Sequence, residues 1–258
     1  MSSPHLHFGL PRLKGRLPEY AKSFDLLEVQ CEPAPPTPKH LGRMKREVPE
    51  GFQFVVVAGR SIAELASSAP DAALVEATRN AAQALEARFV LLRTPASAGP
   101  SARTRARLAR LCESFAGAGR GIAWEPRGMW TDEEVVEVAA ELGVTLVRDV
   151  AEHDAPPGPV VYTRLLALGR NQRLGSGAIE RVSERLVDAE EAFIVIEGDG
   201  PGGVAKRLRA SLGQLREDNA AFGDDDEDED ELGDDEDAED GDDDATDDDD
   251  DGDEPDDA

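Results

Sequence analysis

Cysteine is nearly missing from this chain, with two in 258 residues, Cys31 and Cys112, far apart and without C-x-x-C spacing. That excludes a disulfide framework and a zinc or dithiol motif, and leaves both as small apolar fillers. Long apolar runs are missing too. No segment approaches the roughly 18 apolar residues of a membrane span, and the opening MSSPHLHFGLPRLKGRL has no apolar h-region. The expectation is a cytoplasmic protein with no membrane partner. Of the four histidines only His5 and His7 fall on a candidate strand, a poor basis for a transition-metal site, so no metal ligand set is assigned.

The sharpest absence is of positive charge. After Arg216 there is no Lys or Arg, while Glu217, Asp218 and the 26 acidic residues from Asp224 to Asp257 take 28 of the 55 carboxylates. Residues 1–216 keep the other 27 against 28 basic residues, so the formal charge of −27 belongs almost wholly to the last stretch. Residues 217–258 are read as a disordered polyacidic tail, because they have too little apolar surface to offset the entropy of ordering and they repel themselves. Such a tail solubilises, contacts a basic protein partner or covers basic residues of its own chain, and its repulsion argues against nucleic acid as a ligand of the whole chain. Residues 1–216 suit one domain of the larger single-core kind.

What is present is a regular alternation. Eight short β-rich runs occur: HLHFG (5–9), LLEVQ (26–30), FQFVVVAG (52–59), FVLLRT (89–94), GIAWEP (121–126), TLVRDV (145–150), VVYTRLL (160–166) and AFIVIEGD (192–199). Helical patterns lie between most of them, opened by Thr37, Asp71, Ser101 and Thr131 as N-caps, with Gly143 as a stop. The segment AEHDAPPGP, between the sixth and seventh runs, has no room for a helix. Near-continuous apolar strands alternating with helices define an α/β protein with a parallel sheet. Eight of them point to a (β/α)8 TIM-like barrel, irregular between strands six and seven. An open doubly wound sheet is the alternative, although no G-x-G-x-x-G follows the first strand.

In such a barrel chemistry gathers where the strands end, so the polar residues there are the candidates. They are Glu28 and Gln30, Arg93, Glu125 and Arg127, Asp149, Tyr162 and Arg164, and Glu197 and Asp199. Pairs two apart share one face of a strand. Glu28, Glu125 and Asp149 facing one cavity would serve as acid and base or hold a divalent cation such as Mg²⁺, with Arg127 and Arg164 orienting an anionic substrate and Tyr162 counted among the catalytic candidates. The opposing reading is structural: buried charges persist when paired, and the arginines would consume the carboxylates. Gly202 and Gly203, opening the last helix after strand eight, are placed to present N–H groups to a phosphate. Arg93, Arg170 and Arg173 would add positive charge, which suits a small anionic, phosphorylated or nucleic-acid-related ligand. Trp124 and Trp130 read as core or pocket-wall aromatics.

YAKSFDLLEVQ, VPEGFQFVVVA, FVLLRTPAS, IAWEPRGMW and VVYTRLL, in that order and spacing over residues 5–212, resemble the segments of the YecE-like barrels, domain of unknown function 72. The resemblance implies a (β/α)8-type fold and no settled activity. It carries the family's motif positions onto Glu28, Glu125, Arg127, Trp130, Asp149, Tyr162 and Arg164. This chain departs from the pattern where the resemblance implies a lysine (Val57), a glutamine (Arg93), a histidine (Leu166), two asparagines (Glu197 and Gly198) and an aromatic pair (Glu32 and Pro33), and its start is reduced to FGLPRL. Two functional readings follow: residual hydrolytic or phosphoryl-group chemistry on an anionic ligand, or a non-catalytic binding or scaffold protein with a degenerate pocket. Deleting residues 217–258 is expected to leave the thermal unfolding midpoint nearly unchanged in a calorimetric scan. A large fall would show that the tail docks on the body.

Overall fold

Each of the eight apolar runs has two faces to bury, one toward its own sheet interior and one under helices, and this requirement sets the architecture. The computed structural model describes residues 5–66, 69–166 and 174–222. The strands are β1 (His5–Leu10), β2 (Leu26–Gln30), β3 (Gln53–Val57), β4 (Phe89–Arg93), β5 (Ile122–Glu125), β6 (Thr145–Arg148), β7 (Val160–Leu166) and β8 (Glu191–Glu197). The helices are α1 (Leu17–Tyr20), α2 (Pro38–Arg46), α3 (Arg60–Ala63), α4 (Ala72–Leu85), α5 (Ala102–Phe115), α6 (Asp132–Leu142), α7 (Ser176–Leu186) and α8 (Pro201–Phe222). All strand pairs are parallel and follow chain order, and β1 closes on β8 with His5–Gly9 against Glu191–Val195. That ladder makes a closed barrel and rules out the open doubly wound alternative. Residues 1–219 form one unit, which holds every strand; residues 220–258 form a second, of which 220–222 are described, as helix.

Helix starts follow the local signals. Thr37, Asp71 and Ser101 accept backbone N–H groups from the first turns of α2, α4 and α5, and Thr131 and Glu134 cap α6 reciprocally. Gly143 ends α6 at φ 62°, a left-handed value that glycine adopts without a Cβ penalty. The single-turn helices α1 and α3 were outside the helical expectation, being too short to show a period. Helix α8 runs six residues beyond Arg216, so the expected start of the tail at 217 falls inside it. Charge alone set that boundary, whereas Ala220 and Ala221 are strong helix formers. Residues 223–258 lie outside the described residues, and with them the rest of the disorder expectation.

Strand alternation sorts the side chains. Leu26, Val55, Phe89, Leu91, Tyr162 and Phe193 fill the barrel interior, while their neighbours Leu27, Val56, Val90, Leu92 and Ile194 pack under the helices. Trp124 also points outward, donating to Thr94 Oγ1 at 3.0 Å with its ring edge-on to Trp130 at 5.2 Å. The interior is charged at both ends. At the N-terminal end, His7 stacks on Phe193 between Asp25 (3.3 Å) and Glu191 (3.5 Å), and Arg88 holds Glu191. The C-terminal end holds the candidate site. As expected, no helix lies between β6 and β7.

The β1–β2 seam leaves no room at Gly9. Tyr20 Oη accepts the N–H of Leu10 at 2.8 Å and donates to the Leu26 carbonyl at 2.6 Å, pinning both strands. Gly9 faces Leu26 across it, where an added Cβ would lie 2.3 Å from the Leu26 carbonyl oxygen. Gly9→Ala is expected to force the strands apart and cost about 2–3 kcal/mol, a fall of roughly 5–10 °C in Tm by differential scanning calorimetry. An unchanged Tm would show that the seam relaxes freely.

Candidate functional site

Continuing the inward positions of the strands toward their C-terminal ends turns the apolar interior into a charged layer: Glu28 and Gln30 on β2, Arg93 on β4, Glu125 on β5, Arg164 on β7 and Glu197 on β8. Arg164 stands at the centre. Its Nε donates to Glu28 Oε1 at 3.0 Å and one terminal nitrogen to Glu28 Oε2 at 3.3 Å. The other terminal nitrogen donates to Glu125 at 2.9 and 3.2 Å. Tyr162 Oη donates to Glu28 Oε1 at 2.8 Å, Arg93 Nε to Glu125 Oε2 at 2.6 Å, and Arg127 to Glu125 Oε1 at 3.2 Å. All four oxygens of the two glutamates therefore accept from an arginine. Among the described residues no buried side-chain nitrogen or oxygen lacks a hydrogen-bond partner.

Environment separates the two acids. Burial raises the Glu28 carboxyl above its usual range, outweighing Arg164 and the Tyr162 hydrogen bond. Burial also pushes Glu125 up, but Arg164, Arg93 and Arg127 together outweigh it and hold Glu125 below the usual range. Burial works against charge on Arg164, yet Glu28 and Glu125 keep the guanidinium protonated more firmly than in water. Burial and the Glu28 charge raise the Tyr162 phenol far above its normal value, so it serves as a hydrogen-bond donor. Burial lifts the Cys31 thiol to about 11 and Cys112 to about 12, so neither is a nucleophile near neutrality.

Six of the expected residues thus meet in one cluster: Glu28, Arg93, Glu125, Arg127, Tyr162 and Arg164. Asp149 is not among them. It sits past the end of β6, where its oxygens accept the backbone N–H groups of Leu166 at 2.8 Å and Ala151 at 2.9 Å, joining the ends of β6 and β7 where no helix spans them. Burial raises its carboxyl against those two bonds. The three-carboxylate cation site is corrected accordingly: one acid lies elsewhere and guanidinium groups occupy the other two. Among the described residues no group of three His, Cys, Asp or Glu is arranged for a metal ion. Gly203 spends its N–H on the Gly200 carbonyl at 3.0 Å, and neither Gly202 nor Gly203 is among the residues lining the mouth cavity. Arg170 and Arg173 lie outside the described residues.

A cavity of about 330 Å³ opens above the cluster, lined by Arg12, Lys14, Gln30, Arg93, Arg164 and Glu197, with Leu10 and Ile196 as apolar wall. Arg12 and Lys14 were not anticipated. They lie in the loop after β1, and their basic character beside a strand end was the available signal. The stretch 121–130 supports the cluster from behind: Trp130 donates to the Ala98 carbonyl at 2.7 Å, and Gly128, at φ 103°, leaves no room for a Cβ against Ala96.

An eight-stranded parallel barrel with polar side chains converging at the C-terminal ends of its strands belongs to the TIM-like class. Within that class the family model for "Protein of unknown function DUF72" matches residues 7–215. The chain belongs to the DUF72 family, the YecE-like barrels, as its motifs suggested. Among solved structures, a DUF72 family protein from Enterococcus faecalis is similar at 18% identity and TM-score 0.62, covering 83% of this chain and 98% of that one. Another, from Thermotoga maritima, is similar at 16% identity and TM-score 0.64, covering 82% and 99%. No curated protein matches the chain. Among the described residues no helix is long and apolar enough to cross a membrane.

Glu125→Ala leaves three arginines crowded without their shared anion, and is expected to cost about 3–5 kcal/mol, roughly 10 °C in Tm at neutral pH. Because the folded state lowers the Glu125 pKa, its contribution is present above the unfolded value and is lost as pH falls through the folded one. The difference between wild type and variant should therefore shrink below about pH 4. A gap that stays constant down to about pH 3 would show that the Glu125 charge is not what holds the arginines.

Proposed function

We propose that the protein is a binding barrel for a small anion at the C-terminal mouth rather than an acid/base catalyst. The observation that carries this reading is the division of labour in the cluster. The carboxylates are spent, since Glu28 has a fully buried side chain and every Glu28 and Glu125 oxygen accepts from an arginine. Three of the cations are not spent. Among the described residues the terminal nitrogens of Arg93 donate to none, and Arg12 and Lys14 have no partner, while all three line the cavity. Five cationic groups (Arg12, Lys14, Arg93, Arg127, Arg164) stand against three acids (Glu28, Glu125, Glu197), so the mouth carries an excess of positive charge. Unspent N–H donors above a rigid, fully paired floor are preorganised for a phosphate or carboxylate.

Hydrolytic or phosphoryl-group chemistry would need a carboxylate free to move a proton within reach of the ligand, and the cluster offers Glu197 alone, half-exposed at the rim. The tail plays no part in this reading. In a thermal-shift titration of the full chain, inorganic phosphate at about 100 Kd should stabilise by roughly 2.7 kcal/mol, several degrees in Tm. Arg12 and Lys14 hold no other described residue, and each is replaced in turn by alanine. Each should weaken phosphate binding about tenfold without lowering the ligand-free Tm. No shift with phosphate or simple carboxylates, or shifts in both variants as large as in the wild type, would overturn the reading.

A further inference from the structure

We infer that the ligand of this mouth is a hydroxylated anion, an anionic head on a short carbon chain bearing hydroxyl groups; the inference rests on the anion-binding reading above and specifies its ligand. It follows from the acceptors that share the cavity with the cations. Gln30 Nε2 donates to the Pro11 carbonyl at 2.9 Å, and this fixes the amide, because the flipped orientation would set two oxygens against each other. Its Oε1 is left without a donor among the described residues, on a side chain that lines the cavity. Glu197, the last residue of β8, has a single described partner, an Arg164 terminal nitrogen at 3.6 Å, beyond hydrogen-bond length, and its side chain is 50% exposed.

These acceptors flank the cations in a set order. Gln30 ends β2 and Glu197 ends β8, the two strands that pair with β1, and the loop leaving β1 carries Arg12 and Lys14. A bare anion placed among the cations would leave Gln30 Oε1 without a donor and would be repelled by Glu197. Hydroxyl groups beside the anionic head donate to both acceptors and remove that penalty. An ammonium group would also satisfy Glu197, but a zwitterion cancels the net negative charge that the excess of cations favours. Leu10 and Ile196 supply a short apolar wall for the carbon chain, and a cavity of about 330 Å³ is at the small end of ligand sites, which run from about 300 to 1,000 Å³.

Isothermal titration of the full chain with matched probes tests this. Glycerol 3-phosphate is compared with n-propyl phosphate, and glycerate with propionate; the two pairs separate a phosphate head from a carboxylate head. In at least one pair the hydroxylated member should bind about tenfold more tightly, the worth of one or two matched hydrogen bonds. Gln30→Leu and Glu197→Leu should each reduce that preference to within about threefold while leaving the unhydroxylated probe bound as well or better. Equal affinity within both pairs overturns the inference while leaving the anion reading standing. Tighter binding of serine than of glycerate overturns it in favour of a zwitterion. Failure of every probe, inorganic phosphate included, overturns the anion reading itself.

Discussion

Everything at the functional end of this barrel depends on one guanidinium, that of Arg164, held inside the sheet between Glu28 and Glu125. Its side chain is 3% exposed, and it joins β7 to β2 and β5, strands that do not neighbour one another in the sheet. A charge taken so far out of water is costly unless opposite charges and hydrogen bonds surround it, and here they do. The pairing explains why neither glutamate is replaced by an apolar residue although both occupy inward positions, and why Tyr162 must keep its proton. The same bonds leave every oxygen of the two glutamates accepting from an arginine.

The departures from the family pattern take on physical meaning in the same frame. Val57, where the resemblance implies a lysine, packs in the interior cluster with Val55 and Leu91, so it extends the apolar layer beneath the ions. Leu166, where it implies a histidine, contributes its backbone N–H to Asp149 at the β6–β7 junction. Arg93, where it implies a glutamine, adds a third cation around Glu125 and lines the cavity. The net result is a mouth without the lysine and histidine that the resemblance implies, whose added cation is Arg93.

Much of this was legible before the structure. Eight alternating apolar runs, four N-cap residues and the missing helix between strands six and seven all appear as expected, because each rests on short-range rules of period and capping. Six cluster residues were legible from their place at strand ends. Asp149 was misassigned for a definable reason: β6 ends at Arg148, so Asp149 lies beyond the strand, where parity no longer sets direction and backbone N–H groups claim its oxygens. Gly202 and Gly203 matched a phosphate-loop composition, but whether their N–H groups point outward depends on how the turn into α8 closes.

The sequence alone determined which side chains face inward and at which end of each strand they fall, because alternation with a period of two is a local property of extended chains. It also determined the charge segregation that leaves residues 1–216 nearly neutral. Tertiary structure alone decided who pairs with whom. Arg164 lies 136 residues from Glu28 and 39 from Glu125, and their bonding follows from closure of β1 on β8 and from the stagger of the strands, neither of which is written in any local pattern.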